Sequence, residues 1–269
     1  MLSIGEVDAV DDLRAVARLF ATIWRTSPEG APISSDLLKA LAHTGGYVAG
    51  AWLDGTLVGA SVGLLADDEG GLGLHSHISG IAPEAQGRGI GYALKLHQRE
   101  WALARGMRRI TWTFDPLVRR NAWFNLVKLG AVGVAYSSNF YGTMLDGINR
   151  NDESDRCSVA WDVAGTRAVA AAAGRLAEPE VTALRDDGAV AVLTEDDDGA
   201  PVAAVSNAPR RLCWVPPDIV GVRAADPQRA LAWRHALRAT MGRALDDGLV
   251  ATAATRSGWY VLERPPGHG

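Results

Sequence analysis

The segment Ile81-Ala82-Pro83-Glu84-Ala85-Gln86-Gly87-Arg88-Gly89-Ile90-Gly91 places glycines at 87, 89 and 91, directly behind a β-prone run and ahead of a helical one. Lacking Cβ atoms, such a loop can curl round a phosphate with its N–H groups pointing inward, and the helix behind it adds a partial charge of about +0.5. That is the chemistry of a pyrophosphate cradle. The spacing is not G-x-G-x-x-G and no Gly-Lys-Ser/Thr follows, which excludes a dinucleotide fold of the usual kind and a P-loop. A formal net charge of −4 argues against a nucleic-acid binder dominated by phosphate contacts, so the anion site is local.

Hydrophobic spacing supplies the elements that must hold this loop. Leu13, Val16, Ala17, Phe20 and Trp24 recur with helical period, with Asp11 or Asp12 as the expected cap. A shorter helix starts at Ser34 or Ser35 and is broken by Gly45-Gly46. Runs 47–53 and 56–65 flank Asp54-Gly55, a hairpin turn, and 67–71 reads as a polar loop. The run 72–82 is a long strand whose period places His75, His77, Ser79 and Ile81 on one face. After Pro83, Gly89 opens a helix with the stripe Ile90, Ala93, Leu94, His97, Trp101 and Ala104. A strand over 110–115, a helix over 118–129 closed by Gly130, and strands over 131–136 and 156–163 follow. Beyond 163 the chain turns Ala-rich. Asp226-Pro227 opens another helix, and 250–254 with 259–262 form a terminal hairpin. The expected domains are 1–163 and 164–269, with the second part packing on the first rather than folding alone.

Composition sets the outer limits. With 269 residues, 48% apolar and 22% charged, the chain is a globular protein of one large or two modest domains. Cys157 and Cys213 stand far apart with no Cys or His at ligand spacing, so no disulfide framework and no metal site is expected. A reducing, cytoplasmic setting fits. Residues 1–13 carry four acids and no basic, apolar leader, and no run is long enough to span a bilayer, so no membrane role is expected.

Gln86, Gly89 and Gly91 fit Gln/Arg-x-x-Gly-x-Gly/Ala, and with the surrounding element order over 13–163 the sequence resembles the GNAT superfamily of acyl-CoA N-acyltransferases. The resemblance implies an α/β (α+β) GNAT fold: a mixed, mostly antiparallel sheet flanked by helices, here with a C-terminal α/β extension. It implies that Gly80, Ile81 and Ala82 hold the pantetheine and polarise the thioester. Gln86, Gly87, Arg88, Gly89, Ile90 and Gly91 would bind the pyrophosphate, and Asn121 would reach the pantetheine arm. A plainer reading makes the loop a tight strand-to-helix turn and Asn121 a cap.

Direct attack of an amine on a thioester needs a proton acceptor, donors for the oxyanion and a proton for the leaving thiolate. His77 is the first candidate base, since an imidazole pKa of about 6.5 suits proton transfer at neutral pH; His75 lies one alternation further away. Asp115 is a rival base or ammonium-binding carboxylate, and its plainer role is capping after Pro116. The resemblance puts a Tyr acid four residues before Gly130, where Leu126 stands, so Tyr141 or Tyr92 must donate, or the thiolate leaves unaided.

Further stretches, including Gly91-Tyr92-Ala93-Leu94-Lys95-Leu96 and Asn139-Phe140-Tyr141-Gly142, look like a subgroup that includes amino-acid N-succinyltransferases. That implies acetyl-CoA or succinyl-CoA as donor and a small-molecule amine as acceptor. Arg119 and Arg120 could then grip a carboxylate, with Asn139 as a further substrate contact, although exposed arginines at a helix start are ordinarily solvated. Two other readings stand: an acetyltransferase of a peptide or protein amine, and a non-catalytic acyl-CoA-binding regulatory module. The 164–269 part is a lid, a homodimer contact or a degenerate second acyltransferase lobe.

Overall fold

The computed structural model describes residues 1–26, 32–68, 71–142 and 153–265. Contacts divide the described chain into two compact units, 1–112 and 113–142 with 153–265. The division falls inside a strand, whereas the sequence placed a boundary near 164.

In the first unit, strands β1 (Leu2–Glu6), β2 (Tyr47–Leu53), β3 (Thr56–Asp68), β4 (Gly71–Ile81) and β5 (Arg109–Phe114) lie side by side in chain order. Pairing is antiparallel from β1 to β4 and parallel between β4 and β5. The Asp54-Gly55 turn has φ of 50° and 82°, the left-handed geometry a two-residue hairpin demands. Strands β3 and β4 reach Asp68 and Gly71, so the expected 67–71 loop is mostly ladder, with 69–70 outside the described residues.

Helix α1 (Val10–Trp24) has Ala9 as its cap, with no side-chain cap bond; Asp11 and Asp12 sit inside the first turn, where their charge suits the dipole. Helix α2 (Ser35–His43) is capped as expected, Ser34 accepting the Leu37 N–H. Leu13, Val16, Phe20 and Leu38 bury with Val48, Ala60 and Val62 on one sheet face. Helix α3 (Ile90–Ala104) packs Ile90 and Leu94 against Ala51 and Val58 on the other.

In the second unit, helix α4 (Arg119–Trp123) runs on into a π turn, Phe124–Lys128, in place of the single helix expected over 118–129. Its sheet has the order β7 (Arg156–Asp162), β6 (Val132–Ser137), β11 (Val250–Ala254), β12 (Trp259–Glu263), β10 (Arg210–Trp214), β8 (Val190–Glu195), β9 (Pro201–Ala203). Helices α5 (Thr166–Ala172), α6 (Val181–Asp186), α7 (Ile219–Ala225), α8 (Pro227–Leu237) and α9 (Arg243–Asp246) accompany it. Asp226 caps α8 at Arg229 N–H, and the β11–β12 hairpin forms as the sequence implied.

Candidate functional site

The site in the first unit is built where β4 leaves the sheet and α3 begins. Strand β4 pairs with β5 only at Leu74↔Ile110 and His75↔Thr111. On its other side it follows β3 throughout, with a slip between Val62↔Ile78 and Gly63↔Ser76 that makes His77 the extra residue of a β-bulge. The bulge breaks the expected alternation. Ser79 turns to the α3 face, bonding Ser61 Oγ at 2.7 Å, while half-buried His75 bonds Thr111 Oγ1 through Nδ1 at 3.0 Å. His75 is held below its ordinary pKa by burial, then by the charges of His77 and Lys95. His77 stays exposed.

Beyond the bulge the ladder decides which main-chain groups are available. Ala82 N–H donates to Val58 O at 2.8 Å. Hydrogen bonding alternates along an antiparallel pair, so Gly80 shares the β3-facing side with Ala82, and Ser79 and Ile81 turn their N–H and C=O groups to the opposite edge. Of the three expected pantetheine contacts, Ile81 alone faces that edge, and Ser79, which the resemblance did not include, joins it. Gly80 is glycine for packing: a Cβ there would lie 2.8 Å from Ile23 and 2.9 Å from Trp24.

A 3₁₀ turn at Pro83–Ala85 leads into exposed Gln86, Gly87, Arg88 and Gly89. Gln86 Nε2 reaches back to Ile81 O at 3.4 Å, bracing the loop against the strand end. Gly87 and Gly89 both have φ of 77°, which requires glycine. Gly89 is the N-cap of α3 and no side chain caps that end; the first helical bond is Ala93 N–H to Gly89 O. The Ile90 and Gly91 amides therefore precede the helical ladder. Gly91 lies outside the left-handed region, and a Cβ on it would meet only Ile81, at 3.8 Å. Neither its backbone nor its packing demands glycine.

Under the bulge the sequence stripe missed a polar core. Lys95 and Gln98 are buried on the α3 face between Leu94 and Trp101. Lys95 Nζ donates to Ser76 Oγ at 2.8 Å and to Gln98 Oε1 at 3.1 Å, and stands 4.0 Å from the centre of the Trp112 ring. Gln98 Nε2 continues to Ser61 Oγ at 3.5 Å. Burial pushes the Lys95 ammonium down to about 7. The positions 95, 98 and 102 share a helix face, which was the available signal.

In the second unit most expected site residues carry structural duties. Asp115 takes Arg234 through Oδ2 at 3.0 Å, has Arg223 at 3.8 Å, and accepts the Leu117 N–H at 3.0 Å. The capping role foreseen for it is absent: α4 has Val118 as its N-cap with no side-chain cap bond, and Asp115 braces the turn at Leu117 instead, beside an ion pair with an Arg234 side chain that is 1% exposed. Arg119 Nε donates to Val215 O at 3.1 Å, its Nη2 reaches the same oxygen, and burial lowers its pKa. Arg120 is exposed. Asn121 is half-buried and its N–H bonds Val118 O at 2.9 Å. Asn139, at φ 47°, donates its N–H to Asp155 and accepts from Ser154, so its side chain braces its own turn. Tyr141 is half exposed, edge-on to Phe140 at 4.7 Å and under Arg156. Leu126 is fully buried core.

Residues 13–130 match the family model described as the acetyltransferase (GNAT) family. That match covers less than half of the chain. Its mixed sheet with α1 and α2 on one face and α3 on the other is the GNAT fold. Solved structures similar to the chain include an acetyltransferase of the GNAT family from Streptococcus pneumoniae (17% identity, TM-score 0.47, covering 60% of this chain and 98% of that one). The ribosomal-protein-S18-alanine N-acetyltransferase of Escherichia coli is another (17%, 0.46, 62% and 97%). A third is yncA of Salmonella typhimurium with acetyl-CoA (14%, 0.49, 67% and 99%). No curated protein matches the chain. Among the described residues there is no cluster able to hold a metal ion, and no helix is long and apolar enough to cross a membrane.

Proposed function

We propose that this chain is a CoA-dependent N-acyltransferase that moves an acetyl or succinyl group from acyl-CoA to the amine of a small molecule, an amino acid being the favoured acceptor. The observation that carries the reading is the open end of α3: an uncapped helix start behind two left-handed glycines, with a Gly91 whose missing Cβ serves no contact of the chain. Amides so arranged suit a diphosphate. The GNAT family match over 13–130 supports the same assignment.

In this reading the diphosphate lies on the amides of 87–91 and the pantetheine runs along the free edge of β4 at Ser79 and Ile81. The amine lone pair forms the C–N bond, the carbonyl π pair moves to oxygen, and collapse of the oxyanion breaks the C–S bond. The amine loses one proton to a base and the thiolate gains one, so no net proton is required. Exposed His77, at the bulge, is the candidate base. Arg120, with its exposed guanidinium, remains the candidate carboxylate contact, since Arg119 and Asp115 are engaged inside their own unit.

The buried Leu126 and the engaged Asp115 favour, as a second reading, a module that binds acyl-CoA without turning it over. Free-thiol release from acetyl-CoA and succinyl-CoA against D- and L-amino acids and small amines decides between them. Thiol release dependent on an acceptor establishes the enzyme; tight CoA binding with no release for any acceptor establishes the module.

A further inference from the structure

A buried ammonium is costly unless a negative charge stands beside it, and effective penalties run to several kcal/mol. Among the described residues no carboxylate lies within ion-pair distance of Lys95; its partners are the neutral Ser76, Gln98 and Trp112. Burial lowers its pKa, in keeping with those neutral surroundings. A methionine or leucine would fill the space without that penalty. The chain nevertheless spends a lysine here, directly beneath the bulge at His77.

The hydrogen bonds converge on the same stretch of β4. Lys95 holds Ser76, the residue before the bulge, and through Gln98 and Ser61 it is linked to Ser79, two residues after it. Ser79 and Ile81 are the residues whose main-chain groups face the edge that β5 has left. The network thus fixes both flanks of the bulge and puts a positive charge behind it.

We propose that Lys95 is a positioning residue for acyl transfer: through Ser76 and Ser79 it fixes the β4 bulge, and its buried ammonium supplies the positive potential that the thioester oxygen meets as it becomes negative. This rests on the proposed acyl-CoA reading, because the thioester must lie at the free edge of β4. The counter-ion missing among the described residues is then the transient oxyanion. Fixed charge directed at developing charge acts strongly in a site closed to water.

The test uses the full chain and acetyl-CoA carrying a ¹³C-labelled carbonyl, so no acceptor has to be known. Infrared difference spectra report the carbonyl stretch free and bound, and calorimetry gives the affinity for CoA. The wild type is expected to lower the stretching frequency on binding. Lys95→Met is expected to return it most of the way to the free value while CoA binds within about threefold of wild type, and Ser76→Ala to return it part of the way. Where an acceptor turns over, kcat for Lys95→Met falls by tenfold or more with KM for the donor little changed, consistent with loss of a transition-state interaction. Should Lys95→Met not fold, Lys95→Arg and Ser76→Ala carry the same comparison, the arginine keeping the shift and the alanine losing part of it. An identical carbonyl frequency in wild type and variants overturns the proposal, as does a wild-type frequency equal to that in water. Failure of the wild type to bind CoA at all is a different result, and removes the acyl-CoA reading itself.

Discussion

Lys95→Met changes stability in a direction that depends on pH. In the fold the ammonium is pushed down to about 7 against an ordinary 10.5, and the side chain is 7% exposed. That gap converts at 1.36 kcal/mol per pKa unit to a cost of about 5 kcal/mol for keeping the charged form buried. A lysine with a depressed folded pKa binds fewer protons folded than unfolded between 7 and 10.5, so stability rises with pH through that window. The full relief is present above 10.5 and is lost as pH falls through 7. The variant carries no charge, but it leaves Gln98 Oε1 and Ser76 Oγ without their donor, at about 1.5 kcal/mol each, the lower part of the range for neutral groups. Lys95→Met should therefore be more stable than wild type by about 2 kcal/mol at pH 6. The advantage should vanish by pH 9 to 10 and change sign as the neutral amine regains its hydrogen bonds at no charge penalty. Urea unfolding of both proteins at pH 6, 7.5 and 9.5 measures this directly. A difference that stays constant with pH, or a variant less stable than wild type at pH 6, refutes the reasoning that Lys95 is buried without a compensating anion.

Gly91→Ala should leave the melting temperature within about 2 °C, because its Cβ meets only Ile81 at 3.8 Å, yet weaken CoA binding by about tenfold where the cofactor's phosphates approach the helix end; calorimetry and thermal melts separate the two. Gly80→Ala should do the opposite, destabilising by about 1–3 kcal/mol through contact with Ile23 and Trp24, read by urea unfolding. Asp115→Ala removes the carboxylate beside the buried Arg234 and should cost about 3–5 kcal/mol. Any loss of activity should follow the loss of folded protein, and a fully stable but inactive variant would restore Asp115 as a base. Ser34→Ala removes the α2 cap and should cost about 1 kcal/mol by the same unfolding assay.

Local chemistry made much of this molecule legible from its residues. Ser34 with Leu37, Asp54 with Gly55, Asp226 with Pro227 and the loop glycines act over a few positions, and each element they mark is present. What sequence reasoning missed depends on register or on tertiary partners. One inserted residue at His77 moves Ser79 to the other face, which no alternation pattern contains. Lys95 lay outside the apolar stripe read for α3 because its burial is set by Ser76 and Trp112, distant in the chain. Asp115 and Arg119 looked available for substrate because Arg234 and Val215, which engage them, lie about a hundred residues downstream. Asp11 or Asp12 was expected to cap α1, but the cap is Ala9, two or three residues earlier, and both aspartates fall inside the helix.

The central claim is that the open amides from Gly87 to Gly91 hold the diphosphate of coenzyme A. Titration calorimetry of the folded full chain with CoA, repeated with 3′-dephospho-CoA and with pantetheine, tests it most directly. The account predicts one site, affinity retained by dephospho-CoA and lost by at least a hundredfold with pantetheine, which lacks the diphosphate. Equal affinity for pantetheine, or no binding of any of the three, contradicts it.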